Sequence, residues 1–311
     1  MTQRAGLPHT DVRKGLVITT IGGLLFTLDL PLLRLALADQ WTLVFARGVC
    51  LFVAISVVWY LVCHFSRERI AYFAGGAGIA VAATNTIAPI TYIGAIVNTS
   101  AANVVFITAL IPVMTVVMSY LFLKEKVHRY TWVATALSFM GVTIIVFDGI
   151  RGGTFLGDGL ALISAISTSA AFTIIRYSGK NVATSLAVGS LASAVIALVF
   201  FGIDGFALVR TADFGVPAWV WIALNGLIAI PVASTLIANG PRFLPSTDVS
   251  MFFLLETVLT PVWIWMLFTE LPSKSVFAGG LIVVATLIAH SAWRLYSTLN
   301  QQNKKGVSYY Y

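Results

Sequence analysis

Residues Asn98 to Phe147 read NTSAANVVFITALIPVMTVVMSYLFLKEKVHRYTWVATALSFMGVTIIVF, and residues Phe243 to Ala292 read FLPSTDVSMFFLLETVLTPVWIWMLFTELPSKSVFAGGLIVVATLIAHSA. Sliding the first over the second by 145 positions needs no gap. It lays Leu110-Ile111-Pro112 on Leu255-Glu256-Thr257, and Glu125 on Glu270. Each copy is an apolar run with a proline near its middle, a short polar connection holding a glutamate, and a second apolar run. A repeat on this scale decides the architecture before single residues are weighed.

Outward from these copies the same texture continues. Of the 311 residues, 59% are hydrophobic and 10% charged, too little polar material to clothe a water-facing surface. The chain therefore reads as an integral membrane protein. Ten apolar runs cover approximately Gly15–Leu35, Trp41–Cys63, Ala71–Ala95, Ser100–Leu123, Tyr130–Phe147, Phe155–Tyr177, Thr184–Ile203, Pro217–Asn239, Pro245–Phe268 and Ser275–Trp293. In lipid each must be a helix, which satisfies its own backbone hydrogen bonds. Ala36-Leu37-Ala38 resembles a signal-peptidase site. The run before it is long, broken by Asp29 and Pro31 and succeeded by many others, so it is read as a span.

The net charge of +7 would suggest nucleic acid in a soluble protein, but here the basic residues gather in short connections and report topology. With the N-terminus inside, Arg4, Arg13, Lys14, Arg67, Arg69, Lys124, Lys126, Arg129, Arg176, Lys180, Arg242, Arg294, Lys304 and Lys305 face the cytoplasm. Arg34, Arg47, Arg151, Arg210 and Lys274 fall in outside connections or outer halves of spans. Both termini are thus expected inside. Five spans per unit is an odd number, so the second unit enters from the opposite side. The expected fold is an all-α membrane protein of ten transmembrane helices in two inverted five-helix repeats, 15–148 and 155–294, with cytoplasmic tails at 1–14 and 295–311.

Pro112, succeeded thirteen residues later by Glu125 and then by a span around Gly141, all echoed in the C-terminal half, resembles the EamA group of the drug/metabolite transporter superfamily. The likeness covers nearly the whole chain, and within the group the sequence resembles the YddG-type exporters of aromatic amino acids. The resemblance implies a cavity between the halves, lined by the first, third, fourth, sixth, eighth and ninth helices, and alternating access across a bacterial inner membrane. The second copy departs from the family pattern: Thr257 holds the proline position, Pro261 comes four residues later, and Glu256 keeps the family's glutamate. That shift predicts a kink displaced by about one turn.

Interior polar groups supply the candidate site. A carboxylate at bilayer depth costs about 2.5–3.5 kcal/mol, so Asp29 and Glu256 need a partner or a wet cavity. Asp29 has a plainer reading, as a solvated group or the partner of Arg34 or Arg47. Asn85 and Tyr92 lie at i and i+7 of the third span, where the amide would bind a solute's polar end under the phenol ring. Thr108, Ser164 and Thr168 add hydroxyls, with repair of proline-freed carbonyls as the plainer role for Thr108 and Thr115. Asn225, Ser234 and Asn239 in the eighth span form a weaker set. Thr260, Trp263 and Trp265 would complete the walls with the phenylalanines. Pro89, Pro112, Pro231 and Pro261 are the expected hinges. In this scheme Asp29 or Glu256 balances a substrate ammonium and Asn85 with the hydroxyls holds its carboxylate.

Enzymatic signals are missing. His9, His64, His128 and His290 show no metal-ligand spacing, Cys50 and Cys63 form no framework, and no catalytic elbow or phosphate loop occurs. No cofactor, metal or nucleic-acid partner is expected. The partners are amino acids and the lipid bilayer; a monomer is compatible with the sequence, and the oligomeric state is open. Rival readings are an exporter of drugs or other metabolites on the same fold, and a channel or lipid scramblase.

Overall fold

A computed structural model describes residues 12–66, 72, 75–99, 101–124, 129–146, 154–209, 211, 213–268 and 274–307. The connection glutamates Glu125 and Glu270, most of the turn from Lys124 to Arg129, and the tail 1–11 lie outside the described residues. Ten long helical stretches run in order through the described residues: α1 Val12–Ala36, α2 Gln40–Ser66, α3 Gly76–Asn98, α4 101–123, α5 Arg129–Val146, α6 Phe155–Ser178, α7 Ala183–Phe201, α8 Ala218–Arg242, α9 246–268 and α10 Lys274–Val307. Nine of these include a stretch long and apolar enough to cross a membrane, and α5, packed along α10, stands in the place of the tenth. The apolar runs match these helices closely, except that α3 starts at Gly76 and α10 continues well past Trp293.

The contacts are paired by exchange of the halves. α3 packs on α6 as α8 packs on α1, α3 on α7 as α8 on α2, and α4 on α6 as α9 on α1, while α2–α7, α4–α9 and α5–α10 pair with their own counterparts. Two repeats of five helices are thus visible in the packing. Because each repeat crosses five times, α1 and α6 begin on opposite faces.

Small residues allow the close approaches that lipid-exposed helices need when apolar burial offers no drive toward one another. A Cβ on Gly48 would lie 2.5 Å from the Ser190 carbonyl, and one on Gly189 would overlap the Ala82 carbonyl. These contacts draw α2, α3 and α7 together. Hydroxyls inside the helices are folded back on the backbone, as where Thr19 donates to Gly15 O at 2.7 Å and Thr135 to Thr131 O at 2.7 Å. Polar pins then close the ends. On one face Thr99 and Asn103 donate to Asp158 Oδ1, at 2.8 and 3.1 Å; on the other, buried Asp248 meets His290 Nε2 at 3.2 Å and Arg294 Nε at 2.9 Å. The 145-residue shift lays Asn103 on Asp248, so the two pins grow from matching places in α4 and α9.

Four helices are interrupted. α1 breaks between Phe26 and Asp29, α4 between Thr108 and Ile111, and α9 between Met251 and Leu254, while α8 holds a π-helical turn at Leu224–Ala229. Pro112 and Pro231 sit in the first turn after their interruptions. Pro89 lies inside an unbroken α3 and Pro261 inside the unbroken Leu254–Phe268. The kink expected one turn from the family position therefore falls elsewhere. It lies at Phe252-Phe253, upstream of Pro261, where Phe252, Phe253, Leu255 and Glu256 donate their amides to carbonyls only three residues back.

Candidate functional site

Between the halves lies a cavity of about 140 Å³. All helices except α5 and α10 contribute, so α2 and α7 join the six expected to line it. Its charged layer is built from helix ends. Asp29 is seven residues from the end of α1, Arg47 seven from the start of α2, and Asn225 seven from the start of α8. At about 1.5 Å per residue, all three lie about 10 Å below one face. Arg47 Nη2 donates to Asp29 Oδ2 at 2.7 Å, and Asn225 Nδ2 donates to Asp29 Oδ1 at 2.7 Å and to its carbonyl at 3.2 Å. Asp29 is 1% exposed, so the plainer expectation, a pair with Arg47, holds inside a cavity wall.

Asn225 reaches this layer because it occupies the second position of the π turn, where Ile230 N–H bonds Asn225 O five residues back. π turns recur at functional sites because they re-aim side chains within a continuous helix. Glu256 sits deeper, just after the α9 break. Tyr92 Oη donates to its Oε1 at 2.5 Å, tying α3 of one half to α9 of the other. Phe253 stacks obliquely between Phe26 and Phe172, with ring centroids 4.8 and 5.4 Å away, and gives the cavity an aromatic wall.

The structure brings seven of the expected residues to the cavity: Asp29, Asn85, Tyr92, Thr108, Ser164, Thr168 and Glu256. Their chemistry differs from expectation at several. Asn85 uses its amide protons on Leu186 O at 2.8 Å and Ser190 Oγ at 3.0 Å, so it joins α3 to α7 instead of offering donors to a solute. Thr108 donates to Val104 O at 2.9 Å, Thr115 to Ile111 O at 2.7 Å and Ser164 to Ala88 O at 3.1 Å. Thr260 is buried away from the cavity. Trp263 gives its indole N–H to Thr27 Oγ1 at 2.9 Å, fastening α9 to the break in α1. Trp265 is 40% exposed on the outer surface, a correction: two residues along a helix cannot share a face with Trp263.

With this geometry in place, the comparisons with known proteins are decisive for the family. The profile of the EamA-like transporter family matches residues 13–147 and 155–291. The chain belongs to the EamA-like transporter family. An uncharacterized transporter of Synechocystis sp. is 23% identical over 236 residues, which cover 71% of this chain and 66% of that protein. The chain therefore spans slightly under two thirds of that relative's length. A solved crystal structure shares the fold, with a TM-score of 0.74 over 90% of this chain and 97% of its own at 13% identity. The EamA repeat boundaries meet in the short connection between α5 and α6, and each match contains one member of every exchanged helix pair. The EamA cavity is thus formed where the repeats face each other.

Proposed function

We propose that this EamA-family transporter exports amino acids, aromatic and other neutral ones, from a bacterial cell across its inner membrane, with both termini cytoplasmic. One observation carries the reading: a cavity between the repeats that combines an aromatic wall with a buried carboxylate, Glu256, one of whose oxygens is left over after Tyr92 is bonded. Asp29 is closed in by Arg47 and Asn225, so Glu256 is the carboxylate suited to meet a substrate ammonium. Phe26, Phe172 and Phe253 suit an apolar or aromatic side chain. Exchange of access results if one repeat rocks against the other around this site.

Counterflow tests it. Proteoliposomes preloaded with unlabelled phenylalanine should accumulate labelled phenylalanine or threonine, with saturation and inhibition by unlabelled competitor. Flux that grows linearly with concentration would establish a channel instead, and exchange of organic cations without amino acids would establish the drug-exporter reading.

A further inference from the structure

We infer that Arg47 is the carboxylate anchor of the cavity. Arg47 is 8% exposed, lines the cavity, and gives Nη2 to Asp29, while its Nη1 is buried without a hydrogen-bond partner. A buried donor left unbonded is expensive, the more so on a charged group, and native sites resolve it with a ligand or an ordered water. Here the donor belongs to a group already held in place. Asn225 makes two hydrogen bonds to Asp29, Asp29 fixes Nη2, and the planar fork then aims Nη1.

Most other donors at the wall are engaged, and those left over, the hydroxyls of Ser167 and Thr168, carry no charge. Asn85, Ser164 and Thr108 bond as described above, and Ser190, Ser193 and Ser234 donate to Leu186 O, Ser190 O and Ile230 O at 3.0, 2.7 and 2.6 Å. Among the described residues lining the cavity, Arg47 is the single cation. Its charge is balanced by Asp29, and the Glu256 carboxyl lies on the same wall. The wall therefore disfavours a dianion and suits a group bearing one negative charge with an ammonium beside it. Solutes lacking the carboxylate leave Nη1 unfilled and are rejected. This rests on the amino-acid reading only for the ammonium end at Glu256.

The test is equilibrium binding to the purified full-length protein, with labelled phenylalanine displaced by 3-phenylpropionate, which lacks the ammonium, and by 2-phenylethylamine, which lacks the carboxylate. Phenylethylamine should bind about tenfold or more weaker than phenylalanine, the factor expected for one hydrogen bond between charged groups. Arg47→Lys keeps a cation for Asp29 but removes the fork, and should weaken phenylalanine by about tenfold or more while barely changing phenylethylamine. Phenylethylamine binding as tightly as phenylalanine, or unaltered phenylalanine binding in the Arg47→Lys protein, overturns the anchor. The analogue series needs no variant, so a poorly folded Arg47→Lys protein does not remove the test. If phenylalanine fails to bind while labelled phenylpropionate binds to the wild type and not to Arg47→Lys, the anchor stands and the amino-acid reading falls. Binding of neither overturns both.

Discussion

α4 and α9 occupy matching places in the two repeats and break at nearly matching points, yet the residues just beyond the two breaks are chemically opposite. In α4 the break leads into Ile111 and Pro112, and the Ile111 carbonyl accepts Ser169 Oγ at 3.1 Å and Thr115 Oγ1 at 2.7 Å. In α9 the position laid on Ile111 is Glu256, which accepts from Tyr92 across the repeat boundary. Both side chains line the cavity. The shared parts of the repeats make the frame, and the site is written at positions where the copies disagree. Asp29, Arg47 and Asn225 fit the same rule, since two come from one repeat and one from the other, and they meet in a single layer.

That contrast can be broken experimentally. The largest effect is expected for Asp29→Asn, which strips Arg47 of its countercharge inside the protein. It should lower stability by about 3–5 kcal/mol in thermal unfolding of the solubilised protein, and a wild-type melting curve would show that the layer does not hold the repeats together. Glu256→Ile makes α9 resemble α4 at this position. It also leaves the buried Tyr92 hydroxyl without its acceptor, so stability should fall by about 1–3 kcal/mol. Phenylalanine counterflow should fall about 100-fold, in line with loss of one partner of a buried charged contact.

Tyr92→Phe sharpens the comparison by keeping the carboxylate and removing only its donor. Counterflow should drop about tenfold, and an unchanged rate would mean that the bond across the repeats is structural alone. Trp265→Leu should do least. As an outward side chain, its replacement is expected to leave counterflow within about twofold and stability within about 0.5 kcal/mol, and a larger loss of counterflow would return Trp265 to the cavity.

The helices and their repeat are legible in the sequence because lipid forces long apolar runs, and a gapless shift of 145 residues exposes their duplication. Asp29 and Glu256 are legible because carboxylates at that depth demand a reason. Arg47 is legible only as one of two possible partners of Asp29, not as a group that lines the cavity. The signal that finds it is depth: Asp29 lies as far from the end of α1 as Arg47 lies from the start of α2, and opposite charges at one level of consecutive helices can meet. The place of Asn225 in this layer is hidden because its aim depends on a π turn that no composition rule reveals. The break in α9 escapes a reading based on prolines because none marks it. The engagement of Asn85 escapes too, since its acceptors, a backbone carbonyl and a serine, sit on a helix about a hundred residues away.

The π turn at Leu224–Ala229 fits one more residue into the winding of α8 than a regular helix would hold. Deleting one codon from that turn would restore ordinary winding and swing everything on one side of it by about 100° relative to the other. Asn225 would then leave Asp29, although no polar group had been altered. The fit of the second repeat to the first is thus held in chain length as well as in side-chain identity, and a reading-frame-preserving deletion could switch it off where many substitutions would not.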